Sequence, residues 1–339
     1  MRVVVTGVAG RLGQRVLARL DADATVDTIV GLDVSEPSRA PRKLQFHRCD
    51  ITTADLKPLL EGAEVIVHLA AVVGPVVDVA AARRVNVDAT RRLLDAASAV
   101  SARRFVRASS ATVYGAYPNN PVPITEDTPL RPNPGYAPAM HDAECERLMM
   151  EWSDAHPGSV TVSLRLAPVV GPGIDSLFAA AAAGHSPVRV RGAERAIQVV
   201  HVDDAAGALV HAATGTLDGV YNVAATGWLS ASEAAAVAPP THRPSLPAEV
   251  AERTLRTMWA TGLGDAPPEA LAYLIHPWVL ATDKLRATGW EPRHGNEEAL
   301  VLSGDPDQSR SSLPWIAAVG AVLTGVAGAT IWLQRSRRR

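Results

Sequence analysis

Short apolar runs and longer amphipathic runs alternate along the first half of the chain. Residues 11–20 have helical spacing, with apolar side chains at Leu12, Val16, Leu17 and Leu20. The continuous apolar run at 63–71 is typical of a strand that is buried on both faces of a parallel sheet. After a first strand that ends before Gly7, further strands are predicted at 28–33, 44–48, 63–71, 104–109 and 160–166. This alternation predicts an α/β fold with a doubly wound parallel sheet, in which ligands bind beyond the carboxyl ends of the strands.

Three glycines follow the first strand, in the stretch TGVAGRLG that begins at Thr6. Glycines placed there let the chain turn tightly and let backbone N–H groups approach a pyrophosphate at the positive end of the next helix. Asp33 ends the second predicted strand, at about the 20-residue distance where a carboxylate reaches the adenosine ribose. Together they predict a dinucleotide site of the Rossmann type. The alternatives are an ordinary glycine turn and, for Asp33, a turn residue at a strand end.

The regular alternation of strands and helices loosens after about residue 166. An alanine-rich helix at 176–183, short strands between 188 and 202, and clusters of prolines follow. We therefore predict an NAD(P)-binding Rossmann domain over residues 1–170 and a smaller C-terminal substrate-binding lobe over residues 171–302. The polar stretch 303–312 is rich in helix breakers, which indicates a linker.

Residues 315–333 form an uncharged apolar run. As a helix it spans about 28 Å, close to the roughly 30 Å of a bilayer core. Trp315 and Trp332 lie near its ends, where indole rings favour the membrane interface. We predict a transmembrane helix over 313–334 and a basic tail over 335–339, so that one C-terminal span anchors the chain to the cell membrane with the cofactor domain in the cytoplasm. A buried core helix and a helix lying along the inner membrane surface are the alternatives.

Composition excludes several classes of partner. The net charge is −2 and no basic patch carries interleaved aromatic residues, so we expect no nucleic acid partner. Cys49 and Cys145 are isolated and lack metal-ligand spacing, so we expect no metal and a reducing compartment. Small residues share one face of the apolar run, which lets two such helices approach closely and makes a homodimer an expectation; they are Ala321, Gly325 and Ala329.

Ten stretches of the chain, in order, carry a resemblance to a known family. The chain resembles the extended short-chain dehydrogenase/reductase family, the NAD-dependent epimerase/dehydratase group, over residues 1 to about 302. The matching stretches are 6–13 (TGVAGRLG), 50–51 (DI), 68–71 (HLAA), 86–90 (NVDAT), 109–115 (SSATVYG), Tyr136, 165–173 (RLAPVVGPG), 201–204 (HVDD), 221–222 (YN) and 283–292 (DKLRATGWEP). The resemblance implies a Rossmann domain, a substrate lobe and hydride transfer at a carbon that bears oxygen.

The resemblance also assigns residues to the cofactor. It implies that Asp33 holds the adenosine ribose, that Asp50 and Ile51 hold the adenine, and that Ala70 and Ala71 line the cleft. The pyrophosphate would be held by Gly7, Gly10, Arg11, Leu12 and Gly13. Because the carboxylate of Asp33 would repel a 2′-phosphate, NAD is the expected cofactor in preference to NADP.

The resemblance implies a catalytic tyrosine and a catalytic hydroxyl donor. Tyr136 matches the tyrosine, and Ser110 matches the hydroxyl donor, although a serine that only satisfies backbone at a strand end is the alternative. In this family a lysine four residues after the tyrosine lowers its pKa, and this chain has Met140 there. His141 is a poor substitute because on a helix it points about 140° away from Tyr136. We expect it at the surface or behind the site.

A second departure concerns the substrate. Four residues before His201, many nucleotide-sugar enzymes of the family carry an arginine that binds the substrate diphosphate, whereas this chain has Ile197. Arg195 and Arg191 are near enough in sequence to replace it, in a different register.

These features lead to one main hypothesis and two alternatives. The hypothesis is a membrane-anchored, NAD-dependent epimerase/dehydratase-like oxidoreductase that acts on a small molecule, a sugar nucleotide or similar substrate. One alternative is a catalytically degenerate NAD-binding module of a membrane assembly. The other is a sterol or lipid hydroxyl dehydrogenase, suggested by the apolar C-terminal run and the missing arginine.

Overall fold

The structure is a computed structural model that describes residues 1–74, 76–193, 195–238, 245–264 and 266–303. Within these residues the strands are β1 (Arg2–Thr6), β2 (Thr28–Asp33), β3 (Leu44–Arg48), β4 (Val65–His68), β5 (Arg104–Ser110), β6 (Val160–Leu166), β7 (Val169–Val170), β8 (Arg189–Val190), β9 (Val200–His201), β10 (Gly219–Val223) and β11 (Ser245–Leu246). The helices are α1 (Arg11–Ala22), α2 (Lys57–Leu60), α3 (Val79–Arg83), α4 (Ala89–Ala99), α5 (Ala137–Ala155), α6 (Leu177–Ala182), α7 (Val202–Thr214), α8 (Ala231–Val237), α9 (Ala248–Ala260), α10 (Leu271–Ile275), α11 (Asp283–Arg286) and α12 (Asn296–Ser303).

One parallel sheet organises the molecule. Its strand order is β10-β6-β5-β4-β1-β2-β3, and each neighbouring pair is parallel. The chain moves from β1 towards β3 and then from β4 towards β6 on the other side, so the strand order reverses between β1 and β4, where open α/β sheets bind their ligands. The predicted Rossmann-type α/β fold is confirmed. The strand β10 joins this sheet beside β6, although the sequence placed its residues in the substrate lobe.

Helices cover both faces of the sheet, as its buried strands require. Buried side chains of α1 and α7 pack with β1 and β6 on one face, and those of α2, α4 and α5 pack with β2 and β4 on the other. Helix α3 continues into α4 through a π-helical turn at Arg84–Asp88. A 3-10 turn at Ala111–Tyr114 follows β5 directly, so the chain bends sharply where that strand ends.

The structure corrects one part of the predicted fold class. None of the helices in the described part of the chain combines the length and the apolar character that a membrane span needs. The fold class is therefore the α/β fold without the predicted transmembrane helix. Of the linker predicted at 303–312, Ser303 is the last residue of α12; the rest of the linker, the prediction for 313–334 and the basic tail at 335–339 lie outside the described residues. The cellular location inferred from the predicted span remains an untested prediction.

Candidate functional site

The loop between β1 and α1 has the shape that its glycines predict. Gly7 has a φ of +75°, and a Cβ there would lie 2.7 Å from the backbone N of Ala70. A Cβ at Gly13 would lie 2.1 Å from the carbonyl O of Gly7, so a larger residue would displace the backbone at either position. The start of α1 is formed by Gly10, Arg11 and Leu12. The backbone N–H groups at this helix end can therefore approach a pyrophosphate.

The carboxylate of Asp33 lies beside this loop, at the end of β2. Its Oδ2 accepts a hydrogen bond from the backbone N of Ala9 at 2.9 Å, and its Oδ1 accepts one from the backbone N of Ser35 at 3.0 Å. These bonds fix the carboxylate where the second strand meets the phosphate loop. Its remaining lone pairs can accept hydrogen bonds from the hydroxyls of a ribose.

The residues assigned to the adenine and to the cleft lie at the same edge of the sheet. Ala70 and Ala71 follow β4, and the backbone N of Ala70 donates to Oγ1 of Thr6 at 3.2 Å. Asp50 is exposed after β3, with its Oδ1 accepting from the backbone N of Thr52 at 2.8 Å. The side chain of Ile51 is buried in the core, so only its backbone can line the cleft.

Ser110 ends β5 and caps the 3-10 turn that follows. Its Oγ accepts hydrogen bonds from the backbone N of Thr112 at 3.2 Å and from the Thr112 hydroxyl at 2.9 Å. A hydroxyl that accepts both bonds keeps its own hydrogen free to donate. Ser110 therefore satisfies the turn, as the structural alternative expects, and can also donate to a substrate oxygen.

Tyr136 lies directly before α5, and its ring is buried. The ring packs against those of Phe178 and Tyr273, with centroids 5.9 Å and 5.1 Å away. The hydroxyl of Tyr273 donates to the carbonyl O of Thr112 at 2.8 Å, inside the turn that Ser110 caps. Tyr273 therefore connects the two residues, because its ring packs on Tyr136 and its hydroxyl bonds to the turn that Ser110 caps.

The charge environment of Tyr136 favours the protonated phenol. Burial raises the pKa of Tyr136 well above its ordinary value, and the carboxylate of Asp142 raises it further. No cation in the described part of the chain acts on this phenol. Two of the three lysines bind elsewhere: Nζ of Lys43 donates to the carbonyl O of Asp23 at 2.7 Å, and Nζ of Lys284 to that of Val220 at 2.8 Å.

Met140 occupies the position one helical turn after Tyr136. Its backbone N donates to the carbonyl O of Tyr136 at 3.3 Å, so the two residues are stacked at the start of α5. The side chain of Met140 is 47% exposed, and it offers a thioether where the resemblance expects an ammonium. His141 is buried, which excludes the surface position considered for it, and burial lowers its pKa.

Two buried ion pairs join α5 to the sheet beneath the site. Asp142 pairs with Arg107 on β5, with Nη2 and Oδ1 2.6 Å apart. Glu146, one turn later, pairs with Arg165 on β6 at 2.6 Å and accepts a hydrogen bond from the Ser109 hydroxyl at 2.6 Å. Removing one partner of such a pair leaves an uncompensated charge, so these pairs fix the orientation of α5 and of the residues at its start.

On the substrate side, the structure distinguishes the three residues considered for anion binding. Ile197 is buried, and its backbone pairs with that of Leu229. Arg191 is exposed at the end of β8. Arg195 is partly buried and makes no hydrogen bond or ion pair with any described residue. Burial lowers the pKa of Arg195 to about 10.

Sequence reasoning did not find three residues that shape this region. Tyr273 and Phe178 come from the C-terminal lobe and enclose Tyr136, while Asp142 sets its charge environment. The two aromatic residues lie far from Tyr136 along the chain, so no local motif connects them. Asp142 also carried no signal, because a residue six positions after Tyr136 on a helix points about 120° away from it.

A family model described as the NAD dependent epimerase/dehydratase family matches residues 3–224. The chain belongs to this family. Membership confirms the resemblance found in the sequence, and with it NAD as the cofactor.

Three relatives illustrate the range of the family. An uncharacterized protein of Mycobacterium tuberculosis is 29% identical over 310 residues, which is 88% of this chain and 82% of that protein. The 3-diazoavenalumate denitrifying reductase of a Streptomyces species is 29% identical over 315 residues, 87% of this chain and 97% of the reductase. The solved structure of the Thermus thermophilus UDP-glucose 4-epimerase in complex with NAD is 25% identical, with a TM-score of 0.67 over 92% of this chain and 100% of that one.

The residues present fit NAD. Gly7 and Gly13 pack directly on backbone with no room for a Cβ, so the loop turns tightly into the start of α1, and the fixed carboxylate of Asp33 lies beside the same loop. The roles of the individual site residues stay predictions that binding measurements can test.

Proposed function

We propose that this protein is an NAD-dependent oxidoreductase that acts by hydride transfer at an oxygen-bearing carbon of a sugar nucleotide or a similar small molecule. Two observations support the proposal: Ser110 ends β5 at the same side of the sheet as the glycine loop after β1, and the ring of Tyr136 packs on Tyr273, whose hydroxyl donates to the carbonyl O of Thr112 in the turn after Ser110. The sugar nucleotide is supported by the relative that is a UDP-glucose 4-epimerase.

The protonation state of Tyr136 sets how each direction of the reaction depends on pH. A phenol whose pKa is raised stays protonated through neutral pH, so the form that donates a proton is populated and the form that accepts one is scarce. Reduction of a carbonyl therefore starts from the populated form, whereas oxidation of an alcohol starts from the scarce one. The reductase among the relatives, which the chain matches over most of its length, is in line with a role in reduction.

In this scheme each residue has a defined task. The hydroxyl of Ser110 donates to the carbonyl oxygen of the substrate and orients it. Reduced NAD, held by the glycine loop and Asp33, would supply a hydride for the carbonyl carbon. Tyr136 gives its proton to the same oxygen, which completes the alcohol, and the phenolate that remains takes a proton from water. Asp33 and the glycine loop would hold the dinucleotide so that the carbonyl carbon faces the hydride while the carbonyl oxygen faces Ser110 and Tyr136.

The test compares the two directions in one protein. NADH oxidation should be followed with a 4-keto sugar nucleotide, and NAD reduction with the corresponding alcohol, from pH 6 to pH 10. We expect reduction to be nearly independent of pH over this range and oxidation to rise with pH. Tyr136→Phe should abolish both, and Ser110→Ala should slow both by about 10- to 1,000-fold. Rapid oxidation at neutral pH that survives Tyr136→Phe would contradict the proposal.

A second candidate function is a binding module that holds NAD without turning it over. Met140 favours it, because the site lacks the ammonium that activates the tyrosine in the family. In that case calorimetry would show NAD binding, while neither direction of hydride transfer would be detected in the wild type or in Met140→Lys.

A further inference from the structure

Two histidines that have no task in the proposed reaction are stacked at the start of α7. The ring centroids of His201 and His294 are 4.0 Å apart, and the ring of His201 is buried. Nδ1 of His294 donates to Oδ2 of Asp204 at 2.9 Å, and the backbone N of His294 donates to the same oxygen at 2.9 Å. His294 lies just before α12, so these contacts hold the C-terminal end of the described chain against α7.

His201 caps α7 in a way that requires a neutral ring. Its Nδ1 accepts a hydrogen bond from the backbone N of Asp203 at 3.3 Å, which satisfies one of the N–H groups that a helix start leaves without a partner. An imidazole nitrogen accepts a hydrogen bond only while it carries no hydrogen, so the hydrogen of the neutral ring is assigned to Nε2. A second proton, bound at Nδ1, would break the cap.

The loop after β7 encloses the other edge of the His201 ring. A Cβ at Gly171 would lie 2.9 Å from Nε2 of His201, so the backbone of this loop covers that nitrogen. No described residue forms a hydrogen bond with Nε2. The closed arrangement therefore offers a charged ring neither solvent nor a new acceptor on this edge, and burial of a charge without partners costs free energy.

The groups that face His201 carry charges of both signs. Burial lowers the pKa of His201 most and His294 and Arg15 lower it as well, whereas Asp203 and Asp204 raise it. The net direction is downward. A solvated histidine has a pKa of about 6.5, so a state that releases the ring binds more protons than the closed state. The closed state is therefore favoured at neutral pH and loses ground as the pH falls below about 6.5.

The start of α7 also holds α1, the helix that begins at the cofactor loop. Nε of Arg15 forms an ion pair with Oδ1 of Asp203 at 2.9 Å, and Nη2 of Arg19 donates to the carbonyl O of Asp203 at 2.8 Å. The loop after β7 reaches α1 as well, because a Cβ at Gly173 would lie 2.8 Å from Nε of Arg11. Loss of the cap of α7 would therefore loosen the contacts that hold α1 and the cofactor loop.

We propose that His201 is a proton-sensitive positioning residue for NAD binding: when its ring takes up a second proton, the cap of α7 opens and α1 loses its support. The neutral ring keeps the junction closed above about pH 6.5. Below that value, each pH unit shifts the balance between the closed and the open state by up to about tenfold. The inference concerns binding of the cofactor, so it holds whether or not the protein transfers hydride.

The binding test measures the NAD affinity of the full chain by calorimetry from pH 5 to pH 8. The wild type should bind NAD about 3- to 10-fold more weakly at pH 5.5 than at pH 7.5. His201→Asn keeps an acceptor at the helix cap and does not titrate, so its NAD affinity should stay constant. His211→Asn is the matched control and should keep the wild-type fall, because His211 lies near the other end of α7, where its Nε2 is 2.9 Å from Oγ1 of Thr288.

Hydrogen exchange separates the proposed opening from general unfolding in acid. Below pH 6.5, amide protection of residues 203–206 should fall in the wild type, after correction for the intrinsic pH dependence of exchange, and should not fall in His201→Asn. Protection of α4, on the opposite face of the sheet, should be equal in the two proteins. His294→Gln removes the neighbouring ring, so the fall should move to lower pH. The wild-type measurement is decisive even if a variant does not fold.

The remaining outcomes overturn the inference. A wild-type NAD affinity that is constant between pH 5 and pH 8, or an equal fall in His201→Asn, contradicts the role of His201. A fall that disappears in His211→Asn assigns the effect to a different histidine. Loss of protection at the start of α7 with unchanged NAD affinity would make His201 a helix cap without influence on the cofactor. None of these measurements involves hydride transfer, so their failure leaves the proposed function standing.

Discussion

Replacing Met140 with lysine restores a positive charge one helical turn from Tyr136, and it should accelerate alcohol oxidation at neutral pH. Even at the ordinary phenol pKa of about 10, only about one tyrosine in a thousand is phenolate at pH 7. Burial and Asp142 reduce that fraction further. The backbone bond between Met140 and Tyr136 shows that the two positions are stacked, so side chains four residues apart lie within reach.

An ammonium at that distance lowers a pKa by about 1–3 units, and each unit multiplies the phenolate fraction by about ten. We therefore expect Met140→Lys to raise the rate of NAD reduction at pH 7 by about 10- to 1,000-fold and to move the rise of the pH–rate profile to lower pH. Because Met140 is 47% exposed, the melting temperature should change little.

The matched control is Met150→Lys. Met150 lies on the same helix and is 59% exposed, and it is ten residues further on, which is about 15 Å along the axis. Met150→Lys adds the same charge to the protein, but at a distance from which that charge acts only weakly on Tyr136. An equal acceleration by Met150→Lys, or no change in rate and profile in Met140→Lys while Tyr136→Phe abolishes turnover, would refute the reasoning.

Three further predictions concern the cofactor loop and the core. Gly13→Ala should weaken NAD binding at least about 10-fold in calorimetry, because the new Cβ would lie 2.1 Å from the carbonyl O of Gly7, whereas Gly207→Ala, with 3.6 Å to its nearest neighbour, should bind NAD normally. Asp33→Asn keeps an acceptor oxygen and removes the charge, so the preference for NAD over NADP should fall by about 10-fold in competition titrations. Burial lowers the pKa of His68 to about 3, below its ordinary 6.5, so the unfolded state binds more protons between these values. The free energy of unfolding should therefore fall by about 2 kcal/mol from pH 7 to pH 5 through this group. Denaturant unfolding should show a smaller fall over this pH range in His68→Gln than in the wild type. An equal fall in both proteins would contradict the prediction.

The sheet and the cofactor loop could be predicted from the sequence because their signals are local. Buried strands such as Val65–His68 are short apolar runs, and Gly13 is required by its own loop, where a Cβ would meet the carbonyl O of Gly7. The placement of β10 could not be predicted, because its pairing with β6 depends on a strand that precedes it by more than fifty residues. Its five residues carry no mark that separates a sheet strand from a strand of the lobe.

The protonation state of Tyr136 could not be predicted from the sequence either. The motif locates Tyr136, and the missing lysine is visible at Met140, but the raised pKa depends on burial by Phe178 and Tyr273 from the lobe. Which of Arg195 and Arg191 is the less exposed depends in the same way on side-chain packing. Sequence spacing indicates which residues are candidates, and the three-dimensional contacts show how buried and how charged the surroundings of each candidate are.

The exposure of Met140 has a consequence for how this site can change. A side chain that lies outside the core can be exchanged at little cost to folding, so stability alone does not require any particular residue there. The exposure of Met140 therefore separates the two properties: packing sets few limits on the side chain at this position, and its charge can be changed almost independently of the fold.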